Sequence, residues 1–323
     1  MTDGHGGLIF LNSLIAEYFK IKKTEIDNWE NIFNSKNEPG FQEYENAFDQ
    51  HYRRKVKRKS SRFGKRSFNM PFKTEPTGVI HTSKVTVSGK DVKQKAKEHN
   101  VSITGFLSTL YMDSLKTIQD DICKNKTRRM KPIRLNVPVN LRRVLPSITM
   151  RNFSLCVTPY IDPKKEQLTF NEIVLQVNDC LKNKIIPETF YQMIARNTKS
   201  LSSPIMQIAP FQVKRFFARK GYYFFRTPYY SGILTNLGKI TLPKSLTDRI
   251  DSYDIVIGPG PVNKVRVGVA SFEDNLVLTF SRVIKEPILA EVFCKKLKEQ
   301  NIDFNFEPYS LKETQTECVH NLV

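Results

Sequence analysis

Strand-like and helix-like segments follow one another along this chain in no regular order, and this order limits the possible folds more than any other feature. Residues 79–87, 133–140 and 152–160 have the patterns of strands, whereas residues 102–118 and 169–184 carry apolar side chains at helical spacing. A strict alternation of strand and helix would predict an all-parallel sheet. The irregular order instead predicts an α/β fold with a mixed sheet, with α+β as the alternative.

The last third of the chain carries the clearest local pattern. Residues 264–271 and 276–284 predict a hairpin around the turn E-D-N, and residues 286–300 predict a closing amphipathic helix. A turn is expected at Gly238. Further strands are predicted at residues 222–230, 232–237 and 253–257, and further helices at residues 8–19, 188–199 and 206–219.

Several hydroxyl and amide side chains stand where helices are expected to begin. Ser88 is expected to cap a short helix, Ser102 or Thr104 the next, and Thr169 or Asn171 a third. These side chains accept hydrogen bonds from the free N–H groups of a first helical turn. Their positions therefore predict where three helices start.

The charge is strongly positive and concentrated. The chain has 51 Lys and Arg against 32 Asp and Glu, a net charge of +19, and residues 51–66 contain nine Lys or Arg and no acid. We expect this run to be a solvated connector, cut first by trypsin. Binding of an anionic ligand or of nucleic acid is the alternative. No aromatic RNA-binding strand or zinc-finger spacing accompanies the run, which argues against nucleic acid as a partner.

Cysteine usage and hydropathy predict a location. The five cysteines are an odd number without a CxxC pair, which argues against a disulfide framework or a zinc site and for a reducing compartment. No apolar run approaches about 18 residues, and the polar start M-T-D-G-H-G-G lacks the pattern of a signal peptide. The sequence therefore predicts a cytoplasmic protein without a membrane span or a metal.

Common catalytic motifs are absent from the sequence. It contains no GxSxG, HExxH, GxxxxGK[ST] or GxGxxG. Asp248, Asp251 and Asp254 recur at intervals of three, but no histidine or further carboxylate joins them, so a solvated helix end is the better interpretation. His51, His81 and His99 have no partner that the sequence reveals.

The first residues, T-D-G-H-G-G before an apolar helix, resemble the second half of an H-x-x-x-D-G motif. This motif marks acyltransferases of the chloramphenicol acetyltransferase and condensation-domain superfamily, and bacterial alcohol acetyltransferase-like proteins are the most similar. Residues 96–107, 136–147, 151–155 and 235–243 resemble further family segments in the same order. The resemblance covers nearly all of residues 1–307.

The resemblance implies a two-lobe α/β fold with a mixed sheet, its first lobe largely missing and its second complete. Residues 1–76 would be the remnant of the first lobe, residues 77–307 the acyltransferase lobe and residues 308–323 a loose tail. The motif histidine would lie four residues before Asp3, upstream of Met1. His5 is on the other side of the turn and is not carried over. The chain as given is therefore expected to be inactive.

The family's chemistry implies a role for each remaining motif residue. Transfer of an acyl group from acyl-CoA, a co-substrate, to the hydroxyl of a small molecule needs a base and an oxyanion donor. The resemblance makes Asp3 structural, paired with an arginine, and lets the backbone pass closely at Gly4. Thr235 and Asn236 would line the substrate tunnel, or else form a turn before Gly238. A non-catalytic binding or scaffold protein is the first alternative, and a basic nucleic-acid-binding protein is the second.

Overall fold

The computed structural model describes residues 2–28, 32–33, 37–53, 56, 64–124, 126–164, 168–201, 208, 210–221 and 227–308. Most of the basic run at residues 51–66 and the tail from residue 309 lie outside these ranges, so the predictions made for them stay predictions. The strand predicted at residues 222–230 is wrong over its described part, because Thr227–Tyr229 forms a short 3-10 turn, while residues 222–226 lie outside the described ranges.

A mixed sheet of eight strands is the centre of the described fold, with the order β3-β2-β5-β6-β7-β1-β8 and with β4 on another part of β2. β2 runs parallel to β5, and β5 to β6, whereas the other pairs are antiparallel. This arrangement confirms the predicted mixed-sheet α/β fold. The strands are β1 (His81–Ser88), β2 (Ile133–Asn140), β3 (Ser154–Val157), β4 (Tyr160–Ile161), β5 (Gly232–Ile240), β6 (Val265–Phe272), β7 (Asn275–Arg282) and β8 (Phe304–Glu307).

Helices precede, interrupt and follow the strands. In the described part of the chain they are α1 (Gly4–Ile21), α2 (Phe41–Tyr44), α3 (Ala47–Gln50), α4 (Gly89–Glu98), α5 (Ile103–Cys123), α6 (Phe170–Lys184), α7 (Pro187–Leu201), α8 (Phe211–Gly221), α9 (Lys244–Thr247) and α10 (Ile288–Glu299).

The main core lies between the sheet and the helices α5 and α10. Val267 of β6 and Phe280 of β7 are direct partners, so their side chains leave the same face of the sheet. Phe280 meets Phe293 of α10 edge to face, with ring centroids 5.4 Å apart. All three side chains are fully buried, and burial of each contributes about 1.5–3 kcal/mol of transfer free energy.

The opposite face of the hairpin is covered by the segment before β6, and this corrects one prediction. Residues 253–257 do not form a strand; they cross the sheet face instead of pairing with an edge. The crossing is close, because a Cβ added to Gly268 would collide with the carbonyl oxygen of Ile255. The Ser281 hydroxyl donates to the carbonyl of Ile257, which replaces a strand partner.

Helix starts follow the predicted caps, with one exception. Ser88, Ser102 and Thr169 each accept a hydrogen bond from the backbone N–H three residues on, so Ser102 and Thr169, not Thr104 and Asn171, are the caps. The first helix was predicted to begin at residue 8, after the glycines, but α1 begins at Gly4 because Asp3 caps it.

Two other local predictions need correction. The strand predicted at residues 152–160 is two short strands, β3 and β4, on different parts of β2. Gly238 does not end its strand: β5 continues to Ile240 with a register shift between Asn236 and Lys239. Its φ of 82° is the left-handed conformation that favours glycine, which accounts for the turn-like pattern. Strand β8 was not predicted.

The position of α1 matters most for the site described next. Leu8 and Ile15 pack on a small cluster that includes Ile240 at the end of β5 and Tyr253. The Tyr253 hydroxyl donates to Asn12 Oδ1 at 3.0 Å in a buried hydrogen bond. These contacts fix α1 against the end of the sheet, with its first turn toward β2 and β5.

Candidate functional site

A cleft of about 520 Å³ opens where the parallel strands β2 and β5 separate. The two strands pair at Leu135–Gly232 and Asn136–Ile233, and the cleft is lined by the following residues of both. The first turn of α1, the start of α5 and the end of α6 form further parts of its walls. Ligand sites commonly lie beyond the carboxyl ends of parallel strands, where the chain leaves the sheet in different directions.

The start of α1 is fixed in the cleft by the carboxylate of Asp3. Asp3 Oδ2 accepts hydrogen bonds from Arg142 Nη1 and from the backbone N–H of Phe153, both at 2.8 Å. Asp3 Oδ1 accepts from the N–H of Gly6 at 3.1 Å and thereby caps α1. The side chains of Asp3 and Arg142 are only 7% and 8% exposed. Arg142 is therefore the arginine that pairs with Asp3 in this structure.

Arg142 joins Asp3 to the segment that follows β2. Its guanidinium also donates to the carbonyl oxygens of Thr149 and Arg151 and to Asn140 Oδ1. Burial alone would raise the pKa of the Asp3 carboxyl, but the hydrogen bonds from Arg142, Phe153 and Gly6 outweigh it and lower this pKa below its ordinary value. Asp3 is thus ionised at neutral pH and serves as a structural anchor.

Small residues allow the first turn of α1 to approach its neighbours. A Cβ on Gly4 would lie 2.8 Å from Leu237 Cδ2, and one on Gly6 would lie 2.7 Å from the carbonyl oxygen of Met150. Real Cβ atoms do not approach other atoms so closely. Gly4 therefore permits contact between α1 and β5, a partner that the sequence did not reveal.

His5 also lines the cleft, although the motif did not assign it a role. Partial burial and the nearby charge of Arg142 lower the pKa of its imidazole, with Asp3 opposing this shift and Arg143 adding to it. The imidazole is therefore neutral at pH 7. His81 lies elsewhere, at the start of β1, where its Nε2 is 3.3 Å from Glu75 Oε1.

The structure brings Thr235 and Asn236 into the same cleft as Asp3 and Gly4. The amide of Asn236 is engaged: Nδ2 donates to Thr104 Oγ1 at 3.1 Å, and Oδ1 accepts from the N–H of Gly238 at 2.8 Å. Asn236 thus supports the irregular part of β5. Among the described residues, no side-chain hydrogen bond engages Thr235, so its hydroxyl is free to contact a ligand.

Sequence reasoning missed Thr104 and Arg143. Thr104 was considered only as a helix cap, yet it lines the cleft and accepts from Asn236 while keeping its own hydroxyl proton. The two residues are 132 positions apart, so no local pattern indicates their contact. Arg143 follows the anchoring Arg142 and lines the rim.

The described residues contain no group of three or more His, Cys, Asp or Glu side chains that could hold a metal ion. Within the same part of the chain, no helix is both long enough and apolar enough to cross a membrane.

Comparison with known proteins supports the fold. No protein-family model and no curated protein matches the chain. Among solved structures, the trichothecene 15-O-acetyltransferase TRI3 from Fusarium sporotrichioides aligns over 93% of this chain and 63% of its own, with 11% identity and a TM-score of 0.55. Polyketide synthase associated protein 5 from Mycobacterium tuberculosis aligns over 93% and 72%, with 13% identity and a TM-score of 0.52.

The chain thus shares its fold with these two proteins, which confirms the α/β fold that the resemblance implies. It spans 63% of the length of the trichothecene acetyltransferase. It also spans 42% of a polyketide synthase condensation-domain structure from the enacyloxin system.

Proposed function

We propose that this chain is part of an acyltransferase that transfers an acyl group from acyl-CoA to the hydroxyl of a small molecule. The reaction would take place in the cleft between β2 and β5. The buried contact of Asp3 with Arg142 carries the proposal, because it fixes the first turn of α1 beside the hydroxyl groups of Thr235 and Thr104. The fold shared with an acetyltransferase supports it.

The cleft offers two hydroxyl donors to an oxyanion. The tetrahedral intermediate of acyl transfer places negative charge on the former carbonyl oxygen, and donors already directed at that oxygen lower the barrier. Thr235 and Thr104 face the same space from β5 and α5. We assign the donor role to Thr235, with Thr104 beside it, and a supporting role to Asn236.

The base is the second requirement. We propose that it is the histidine expected four residues before Asp3, encoded directly upstream of Met1. A base at this place would be held by the anchored turn, and loss of a general base alone typically slows a reaction by about 100- to 10,000-fold. His5 is the alternative within the described residues, because it lines the cleft with a lowered pKa. His81 is not among the residues that line it.

Release of free CoA from acetyl-CoA in the presence of simple alcohols tests the proposal. We expect background rates for the 323-residue chain and for His5→Gln, activity for a version extended with the codons upstream of Met1, and a return to background when the restored histidine becomes alanine. Activity of the short chain that His5→Gln abolishes would make His5 the base. Tight binding of acetyl-CoA without transfer by any version would favour a non-catalytic binding protein.

The use of acyl-CoA as donor also bears on where the protein is located in the cell. Acyl-CoA is an intracellular donor, and Cys123, Cys180 and Cys294 are free thiols, as expected in a reducing compartment. We therefore propose the cytoplasm as the location. Fractionation of cells that express a tagged chain tests this.

A further inference from the structure

The charges that line the cleft do not balance. Asp3 is the one carboxylate among the described lining residues, and Arg142 already pairs with it. His5 is neutral at pH 7 because burial and the two arginines lower its pKa. Arg143 therefore gives the cleft a net positive charge that none of the described lining residues offsets.

The guanidinium of Arg143 lies where it can contact a ligand in the cleft. It closes the short 3-10 turn Leu141–Arg143 after β2 and lines the rim of the cleft. A Cβ on Gly238 would lie 3.3 Å from Arg143 Nη2, so the guanidinium reaches across to the irregular part of β5, close to Thr235 and Asn236. No described residue accepts a hydrogen bond from this guanidinium or forms an ion pair with it.

Part of the cleft wall is apolar. It includes Val137 and Val139 of β2, Val144 after the 3-10 turn, and Leu181 of α6. A ligand that fills this cleft is therefore expected to combine an apolar body with one charged end. Guanidinium groups bind carboxylate and phosphate oxygens with two parallel hydrogen bonds.

We infer that Arg143 binds an anionic group, a carboxylate or a phosphate, of a substrate in the cleft, and so selects charged substrates over neutral ones. The inference rests on the proposed function for the identity of the site, and it adds the charge of the substrate. The anion belongs either to the acyl acceptor or to the phosphates of the donor.

Binding measured by titration calorimetry, without any transfer step, tests the inference in two arms. The acceptor arm compares ω-hydroxyhexanoate with hexanediol, which has the same chain length and no charge. The donor arm compares acetyl-CoA with S-acetyl-N-acetylcysteamine, a thioester without phosphates. The variants are Arg143→Gln and, as a matched control, Arg128→Gln, an exposed arginine before the opposite end of β2.

We expect the charged probe to bind about tenfold or more tightly than its neutral partner in at least one arm, which is the arm that identifies the anion. Arg143→Gln should remove this preference, and Arg128→Gln should retain it. Absence of a preference in both arms, or a preference that survives Arg143→Gln, overturns the inference. Transfer to charged and neutral alcohols at equal rates, with no change in Arg143→Gln, would keep the proposed function and overturn only the inference.

Discussion

Replacement of Asp3 by asparagine tests the anchor on which the candidate site depends. The change keeps the size of the side chain but removes its charge and turns one acceptor into a donor. Asp3 Oδ2 accepts from both Arg142 Nη1 and the N–H of Phe153, so an amide nitrogen in its place would face two donors. If the amide is flipped, the N–H of Gly6 loses its acceptor instead.

The expected cost follows from burial. Both side chains of the pair are less than a tenth exposed, so Asp3→Asn leaves the Arg142 guanidinium buried without a counter-charge. Breaking one side of a buried pair typically costs about 3–5 kcal/mol of the free energy of unfolding. Three hydrogen bonds of Arg142 to Thr149, Arg151 and Asn140 remain, so we expect a cost near the lower end of this range.

Urea unfolding followed by circular dichroism measures this cost in Asp3→Asn, Arg142→Met and the double variant. The double variant should lose less than the sum of the single losses, because it removes the buried charge together with its partner. Asp179→Asn, an exposed aspartate within α6, is the matched control and should unfold with the wild type. Single losses that simply add, or an Asp3→Asn variant as stable as the control, would refute the anchoring role.

The pH dependence gives a second, independent readout. The pKa of Asp3 is lowered in the folded chain, so its ionisation stabilises the fold at pH values above its unfolded pKa of about 4. This contribution is lost as the pH falls from there through the folded pKa. The stability difference between wild type and Asp3→Asn should therefore be constant near neutral pH and shrink below about pH 4.

Three further predictions concern the surroundings of the anchor. Gly6→Ala should destabilise the chain in thermal unfolding, because its Cβ would press on the Met150 carbonyl. A Cβ on Gly7 would meet no atom within 4 Å, so Gly7→Ala should stabilise α1 by about 0.5–1 kcal/mol. Similar effects of the two substitutions would contradict the packing. Tyr253→Phe should cost about 1–3 kcal/mol in the same measurement, because Asn12 Oδ1 loses its buried donor, and an unchanged melting temperature would contradict this. Phe10 and Leu14 of α1 are 66% and 58% exposed. The double variant Phe10→Ser with Leu14→Ser should therefore lower the fluorescence of a bound hydrophobic dye, while Leu175→Ser on α6 should not. Equal dye binding in all variants would count against an apolar surface on α1.

The sequence by itself determined the elements whose information is local. The hairpin of β6 and β7, the closing helix α10 and the caps Ser88, Ser102 and Thr169 were predictable, because alternation, helical spacing and capping depend on neighbours within a few residues. The irregular order of elements likewise predicted a mixed sheet. The motif T-D-G supplied Asp3 and Gly4, and its resemblance implied an arginine partner without saying which one.

The tertiary structure decided everything that depends on distant parts of the chain. Residues 253–257 look like a strand, but contacts with Gly268 and Ser281 hold them across the sheet face. Arg142 is 139 residues from Asp3, and the contact between Thr104 and Asn236 spans 132. Such pairs leave no periodicity in the sequence, because they form only where the separation of β2 and β5 brings the ends of four elements to one cleft.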